Sequence, residues 1–388
     1  MASLGQHYTT KKVSEAVIAT LSAQAPALMV DIGAGLGSLA LAAGERFRRA
    51  QLVTVEIDSE NHQHLKKLLP HAEHLHQNAF AVDLPKRMGY PENHADIAVC
   101  NPPFLKVKGD KPRKILAAAG MPSSWSEHIA QRAETLFLAQ NLRMLKPGGE
   151  LAIILPDAYA NGHHFQPFRH WLLDHHEVVS VIRLPTSSFT DAEVNTVAIT
   201  LRTGGATKSF PVFDLMSGEA VRLDEVKHVT AVRRMLAPRF GGAESPFLGL
   251  LKLADLKAEV CRGTPVRELE ALGVSYFHTT DFKHSGPKLY WGTSSETHES
   301  IRLAHRGDIL LGRVGRNCYL QAAVVVRGSM PISDCIYRVR VPTAVHTGVV
   351  QSLLSHEGSA WRGSRVHGAA ASLISKMDLL EHPIFINR

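Results

Sequence analysis

A doubly wound, Rossmann-like α/β domain, followed by a smaller mixed α+β domain, is the fold class that this 388-residue sequence predicts. Three observations predict it. Short β-rich runs alternate with stretches of helical periodicity from about residue 12 to 200, the pattern of strands covered by helices. A glycine-rich turn with Gly33, Gly35 and Gly37 follows the first of these runs, as in sheets that bind a ligand at their carboxyl ends. The texture changes after about residue 203, where loop-like segments give way to short β-type runs.

The strands are expected at 28–32, 52–57, 95–100, 150–155, 178–182 and 196–200. Helical periodicity falls between them, near 36–47, 59–69, 128–145 and 166–174. The segment LKPGG at 145–149 reads as a helix stop and a turn into the next strand. Residues 1–204 therefore make one domain, 205–250 a connecting region of little periodicity, and 251–388 a second domain. The second domain carries β-type runs at 307–314, 319–326 and 335–341, a helical pattern near 347–356, and a last amphipathic stretch at 368–380.

Composition narrows the function. Hydrophobic residues at 45% and charged residues at 20% describe a soluble globular chain, not a disordered one. No apolar run approaches the roughly 18 residues needed to cross a bilayer. The opening MASLGQHYTTKK has no apolar signal core, so a cytoplasmic location is expected. Four widely spaced cysteines make neither a disulfide framework nor a zinc motif. The histidine pairs at 163–164 and 175–176 lack a cysteine or carboxylate at ligand spacing, so no metal is expected. Asp157 reads as a turn acid, with a place lining the site as the alternative. The net charge of +7 is compatible with a polyanionic partner.

Three motifs carry chemistry. The turn after Asp31 uses Gly33 and Gly35 to bring backbone close to a ligand. Glu56 ends the second strand, about 20 residues beyond the glycines, where a carboxylate can accept bonds from ribose hydroxyls. The third run ends in Asn101-Pro102-Pro103-Phe104. Two prolines stiffen the chain and contribute no amide donors. Asn101 can thus offer a side-chain carbonyl and Pro102 a backbone carbonyl. Two convergent acceptors suit one exocyclic amine, and Phe104 can stack on the ring that bears it.

With these motifs in this order, residues 5–201 resemble the S-adenosylmethionine-dependent N6-adenine DNA methyltransferases. The arrangement is the TaqI-like one, also found in type I modification subunits, with cofactor motifs first and target recognition last. The resemblance implies a class I methyltransferase domain with S-adenosylmethionine as cofactor. Gly5 to Thr10 is similar to the family's N-terminal motif, which implies that Tyr8 and Thr9 border the methionine end of the cofactor; Thr10 stands where the family has proline. Asp31, Gly33 and Gly35 match the glycine motif, Glu56 the ribose-binding acid, and Ile57 the residue under the adenine ring. Asn78 and Ala79 fall where the family has an acid that accepts from the cofactor's adenine amine, and an amide oxygen can still accept there without charge. Phe137 matches an aromatic on the other adenine face. The stretch 184–201 matches the family's later motif and implies that Phe189 stacks on an extruded target base.

Lys106, Lys108 and Arg113 follow the Asn-Pro-Pro-Phe motif in a basic segment placed to clamp phosphates. Residues 306–326, with Arg313 and Arg316, resemble part of the target-recognition domains of type I specificity subunits, and 363–384 their closing segment. The implied partner is double-stranded DNA, and a separately encoded restriction endonuclease stays open as a second. The implied reaction is transfer of methyl to a flipped adenine amine, without a metal. An RNA base-amine methyltransferase and a catalytically idle specificity protein are the rival readings, and a cytosine amine remains an open substrate.

Overall fold

The computed structural model describes residues 9–185, 188, 195–216, 218–236, 250–296, 298–315, 317–366 and 373–384. The chain divides into two compact units, Met1–Ala237 and Pro238–Arg388.

The first unit is built on nine strands: β1 (Leu28–Ile32), β2 (Gln51–Glu56), β3 (Glu73–His76), β4 (Ala95–Cys100), β5 (Leu145–Pro156), β6 (His176–Arg183), β7 (Thr196–Thr203), β8 (Ser209–Met216) and β9 (Glu219–Lys227). Their order across the sheet is β3-β2-β1-β4-β5-β7-β6-β8-β9. From β3 to β5 every pairing is parallel, and β7 runs antiparallel between β5 and β6. All five residues of β1 are buried, as expected of a strand covered on both faces. The order reverses on either side of the β1–β4 pair, which makes the carboxyl ends of these strands the ligand crevice of a doubly wound sheet.

Two expectations are corrected here. Residues 209–233, expected within a connecting region, form β8, β9 and the helix His228–Arg233. Pro211 and the charged, mostly exposed run of β9 suppress the apolar alternation that would have marked these strands. The helix expected over 128–145 is two helices, Glu127–Ala130 and Ala133–Met144. The break has a cause in the chain that follows Phe104: Val107 N donates to the Gln131 carbonyl at 2.7 Å and Ala133 N to the Leu105 carbonyl at 3.0 Å. These bonds take the Gln131 carbonyl and the Ala133 amide out of helical pairing. The basic segment is itself half helical, since the helix Lys111–Ala118 begins inside it.

The second unit has a five-stranded sheet of order β10-β16-β13-β14-β11 and a two-stranded one, β12-β15. The strands are β10 (Glu259–Arg262), β11 (Lys288–Tyr290), β12 (Leu303–His305), β13 (Ile309–Gly312), β14 (Ala322–Arg327), β15 (Ser329–Pro331) and β16 (Ile336–Arg340). One apolar cluster gathers Ile309, Leu311 and Val339 with Val349 and Leu353 of the helix Thr343–Leu354. Another gathers Leu310, Ala323 and Ile336 with Phe277. Alternating residues of β13 thus point into different cores. The helical pattern near 347–356 is observed as Thr343–Leu354 and His356–Ser364, separated by Ser355, whose hydroxyl caps the second helix. Of the stretch 368–380, residues 376–380 form a helix and 368–372 lie outside the described residues. No helix among the described residues is long and apolar enough to cross a membrane.

Candidate active site

Four adjacent strands present the sequence motifs side by side. In sheet order, β3 leads to Asn78, β2 ends on Glu56, β1 leads into the turn 33–37, and β4 leads to Asn101. At a strand spacing of about 4.8 Å this row spans about 14 Å. One pocket runs along it, lined by Thr9, Asp31, Gly33, Gly35, Glu56, Ile57, Asn78, Ala79, Asn101 and Phe137. Its wall also includes Pro103 of the Asn-Pro-Pro-Phe motif, and Leu36, Phe80 and Leu105, for which the sequence carried no separate signal.

The turn after β1 is held in left-handed backbone, with φ of +81° at Gly33, +55° at Gly35 and +84° at Gly37, a region that side chains disfavour. At Gly33 there is a second constraint. A Cβ there would stand 2.5 Å from Cε1 of Phe137, so the glycine lets an aromatic ring close on the turn. Phe137 is buried and meets Phe80 edge-on, with centroids 5.5 Å apart.

Glu56 has a larger structural role than its motif suggested. Its Oε2 accepts from Gly35 N at 2.7 Å, and its Oε1 accepts from Ile57 N at 2.9 Å and Asp58 N at 2.8 Å. The buried carboxylate therefore ties the glycine turn to the end of β2, and capacity for a further donor remains on Oε2. Asn78 accepts from Phe80 N at 2.8 Å through Oδ1, an Asx turn that shapes the pocket rim. That rim is held from below by Gln140, whose Nε2 donates to the carbonyls of Ala79 and Ala81, each at 2.7 Å.

Asp31 is the electrostatic outlier. Both carboxyl oxygens are buried and have no hydrogen-bond partner in good geometry among the described residues. Burial first, and the Glu56 carboxylate second, push its pKa up to about 8, with the Ala40 amide pulling weakly the other way. Beneath it, Cys100 donates Sγ–H to the Ile32 carbonyl at 3.3 Å, and burial raises this thiol well above its usual range.

Asn101 donates from Nδ2 to Thr9 Oγ1 at 2.9 Å, and Thr10 N donates to the Ser188 carbonyl at 3.1 Å. The N-terminal segment thus reaches both the β4 end and the chain beyond β6. Pro102 is buried and Phe104 half-buried. Tyr8, Phe189 and Arg316 lie outside the described residues. Asp157 starts the helix Asp157–Asn161 and is buried, its amide donating to the Asn195 carbonyl at 3.0 Å. Among the described residues no group of three or more His, Cys, Asp or Glu is placed to hold a metal ion.

Residues 1–219, more than half of the chain, match the family model described as N-6 DNA Methylase. The chain belongs to the N-6 DNA methylase family. The chain is similar to the type II methyltransferase M.BsuBI of Bacillus subtilis, at 26% identity over 195 residues, which is 45% of this chain and 38% of that protein. It is also similar to the tRNA1(Val) (adenine(37)-N6)-methyltransferase of Flavobacterium psychrophilum, at 29% identity over 136 residues, 34% of this chain and 53% of that protein. The chain thus spans well under two thirds of the length of either relative. Among solved structures, the type IIG restriction endonuclease BpuSI shares its fold, with a TM-score of 0.55 at 13% identity over 100% of this chain and 59% of that one.

S-adenosylmethionine is the cofactor this methylase family implies, and the pocket fits it. The unsatisfied, buried Asp31 carboxyl suits a cationic group, Glu56 Oε2 suits a hydroxyl, and Phe137, Phe80 and half-exposed Ile57 offer apolar surface to a planar base.

Of the basic residues after Phe104, Lys106 pairs with Glu127 at 3.2 Å, Arg113 donates to the Ser123 carbonyl, and Lys108 is exposed. In the second unit Asp308 and Asp334, the two acids between Arg306 and Arg340, are both engaged. Asp308 holds Arg340 bidentately at 2.8 and 2.9 Å. Asp334 accepts from Arg313 through its carbonyl at 2.6 Å and lies 3.2 Å from Arg262. Arg306 and Arg327 remain exposed.

Proposed function

We propose that this methylase transfers the methyl group of S-adenosylmethionine to N6 of an adenine extruded from duplex DNA at a specific sequence. The observation that carries the reading is the alignment of Asn78, Glu56, the glycine turn and Asn101 along four neighbouring strand ends that open on one pocket. When bound, the cofactor supplies a methyl group on a positively charged sulfur. Asp31 and Glu56 would hold its charged and hydroxyl-bearing parts, with Ile57, Phe137 and the Asn78–Ala79 rim around its base and Tyr8 and Thr9 at its methionine end.

At the other end of the row the protein handles the target amine. The Asn101 side-chain carbonyl and the Pro102 backbone carbonyl accept its two hydrogens. This draws nitrogen density away from ring conjugation and fixes the direction of the lone pair. The bond from Asn101 Nδ2 to Thr9 restrains the amide against rotation. Phe104 and Phe189 hold the extruded base by its faces. Positioning does most of the work, no covalent enzyme intermediate is needed, and the proton released from the methylated amine passes to solvent.

The first unit is the catalytic domain in this reading, and the second is the target-recognition domain, in which Arg313 and Arg316 join exposed arginines near phosphates or base edges. Lys106, Lys108 and Arg113 would meet the backbone around the flipped nucleotide. The cytoplasm is the compartment proposed for this work, with a restriction endonuclease as a further partner. The tRNA-modifying relative supports a second reading, transfer to an RNA base amine.

The test is single-molecule sequencing of DNA from a methylation-free bacterial host that expresses the chain or its Asn101→Ala variant. Adenine methylation at one short sequence, absent in the variant, is the expected result. Unmodified DNA from folded, cofactor-bound protein would overturn the DNA reading, and transfer to RNA would install the second. Asn101→Ala should cut turnover by at least about a hundredfold, with cofactor affinity changed less than about threefold, read by single-turnover kinetics and calorimetry.

A further inference from the structure

Among the described residues, the second unit buries a cation without a counter-charge. Arg362, on the helix His356–Ser364, is 1% exposed. Its Nε donates to the Tyr319 carbonyl at 3.0 Å and its Nη1 to the Leu353 carbonyl at 2.8 Å, and Nη2 has no protein acceptor among the described residues. Burial lowers its pKa to about 10, and the only opposing influence is the thiol of Cys318, not a carboxylate. At neutral pH Arg362 therefore stays charged, and a buried unpaired charge is unfavourable until an anion meets it.

Arg362 lines an open groove between the loop 282–287, the turn 317–322 and the start of its own helix. Lys283 is exposed on the first wall, Asn317 stands on the second, and Ser355, His356 and Ser359 stand on the third. No carboxylate lines the groove among the described residues. Ser355 Oγ accepts from Gly358 N at 2.9 Å, so the amides of His356 and Glu357 are left without intrahelical acceptors at the positive end of the helix. Two basic side chains share one groove with these donors, an arrangement that an oxyanion between them would turn from repulsive to attractive.

We propose that this groove is an oxyanion site of the phosphoryl class, with the anion seated between Arg362, Lys283 and the first turn of the helix His356–Ser364. Two sources supply that chemistry: a phosphodiester of a nucleic-acid backbone and free phosphate. The site stands independently of methyl transfer, which is scored separately by cofactor binding and turnover.

The test uses the full chain. Arg362 is unsuitable for substitution because it also braces the helix. Lys283→Ala removes an exposed cation, and Ser359→Asp sets a carboxylate on the groove wall beside Arg362. Duplex affinity is measured against salt concentration, and thermal stability in phosphate against chloride at matched ionic strength, with cofactor affinity as the control. With a backbone source, Lys283→Ala weakens duplex binding and flattens its log–log salt dependence by about one unit. Ser359→Asp also weakens the duplex while raising the melting temperature, since Arg362 gains a partner. If phosphate stabilises the wild type but not Ser359→Asp, and duplex binding is equal in both, the source is free phosphate. Unchanged duplex binding in both variants, together with no stabilisation of the wild type by phosphate, overturns the site and leaves Arg362 a clamp on two carbonyls.

Discussion

The carboxyl of Asp31 faces the Glu56 carboxylate from a fully buried position, and its pKa of about 8 lies far above the value near 3.8 that an unfolded chain gives it. Below about pH 4 both states hold the proton, and the group contributes nothing to pH dependence. Between about pH 4 and pH 8 the unfolded chain loses that proton and the folded one keeps it, so stability falls as pH rises and levels off above pH 8. Asp31→Asn mimics the protonated form. In thermal melts without cofactor it should be more stable than the wild type at pH 8.5, and the difference should vanish near pH 4. Its cofactor affinity should fall, because an amide cannot meet a cation with charge. Glu56 has the same chemistry and different surroundings: three backbone amides donate to it. Both acids were visible in the sequence as motif residues, but neither their mutual approach nor the Gly35 amide on Glu56 was, since spacing along a chain says nothing of donors in another loop.

The turn after β1 and the helix Ala133–Met144 act as one element. Phe137 closes on Gly33, and Gln140 from the next turn of the helix holds the rim at Ala79 and Ala81. Gly33→Ala should therefore strain the backbone at φ +81° and push against the Phe137 ring. A loss of about 1–3 kcal/mol is expected in chemical denaturation, with weaker cofactor binding at every temperature where the protein is folded. Phe137 was legible as an aromatic in a family position. Gln140 was not, because a polar residue inside LFLAQNLRM declares its partners only once the helix is packed against the sheet. The helix break at residues 131–132 has the same origin: the chain after Phe104 takes backbone groups that helical periodicity alone assigned to the helix.

For the whole molecule, the two compact units and the extension of the large sheet by β8 and β9 set the boundary at residues 237–238, later than the change of texture after 203. Arg169 explains why the segment beyond β9 belongs to the first unit. It is buried, and it donates to the carbonyls of Tyr159, Gly162, Val232 and Arg233, fastening the helix His228–Arg233 to its neighbours. A fragment of residues 1–237 should fold and bind cofactor within a few-fold of the full chain, while one ending at 204 should aggregate because β6 loses its cover. Sequence-specific duplex binding should be absent from the longer fragment. Circular dichroism, calorimetry and gel shifts check the three outcomes, and a folded, cofactor-binding 1–204 fragment would refute the boundary.

The sequence by itself determined the strand–helix alternation, the glycine turn and the Asn-Pro-Pro-Phe end of β4, because apolar period, positive φ and proline rigidity are local properties of a chain. Tertiary structure alone decided that β3, β2, β1 and β4 lie side by side with their motifs in one row. It also decided that Arg313 is braced by the Asp334 carbonyl and Arg340 by the Asp308 carboxylate, and that Arg362 is buried without a carboxylate among the described residues. Strand order and ion pairing join residues far apart in the chain, and only packing chooses among the partners that composition permits.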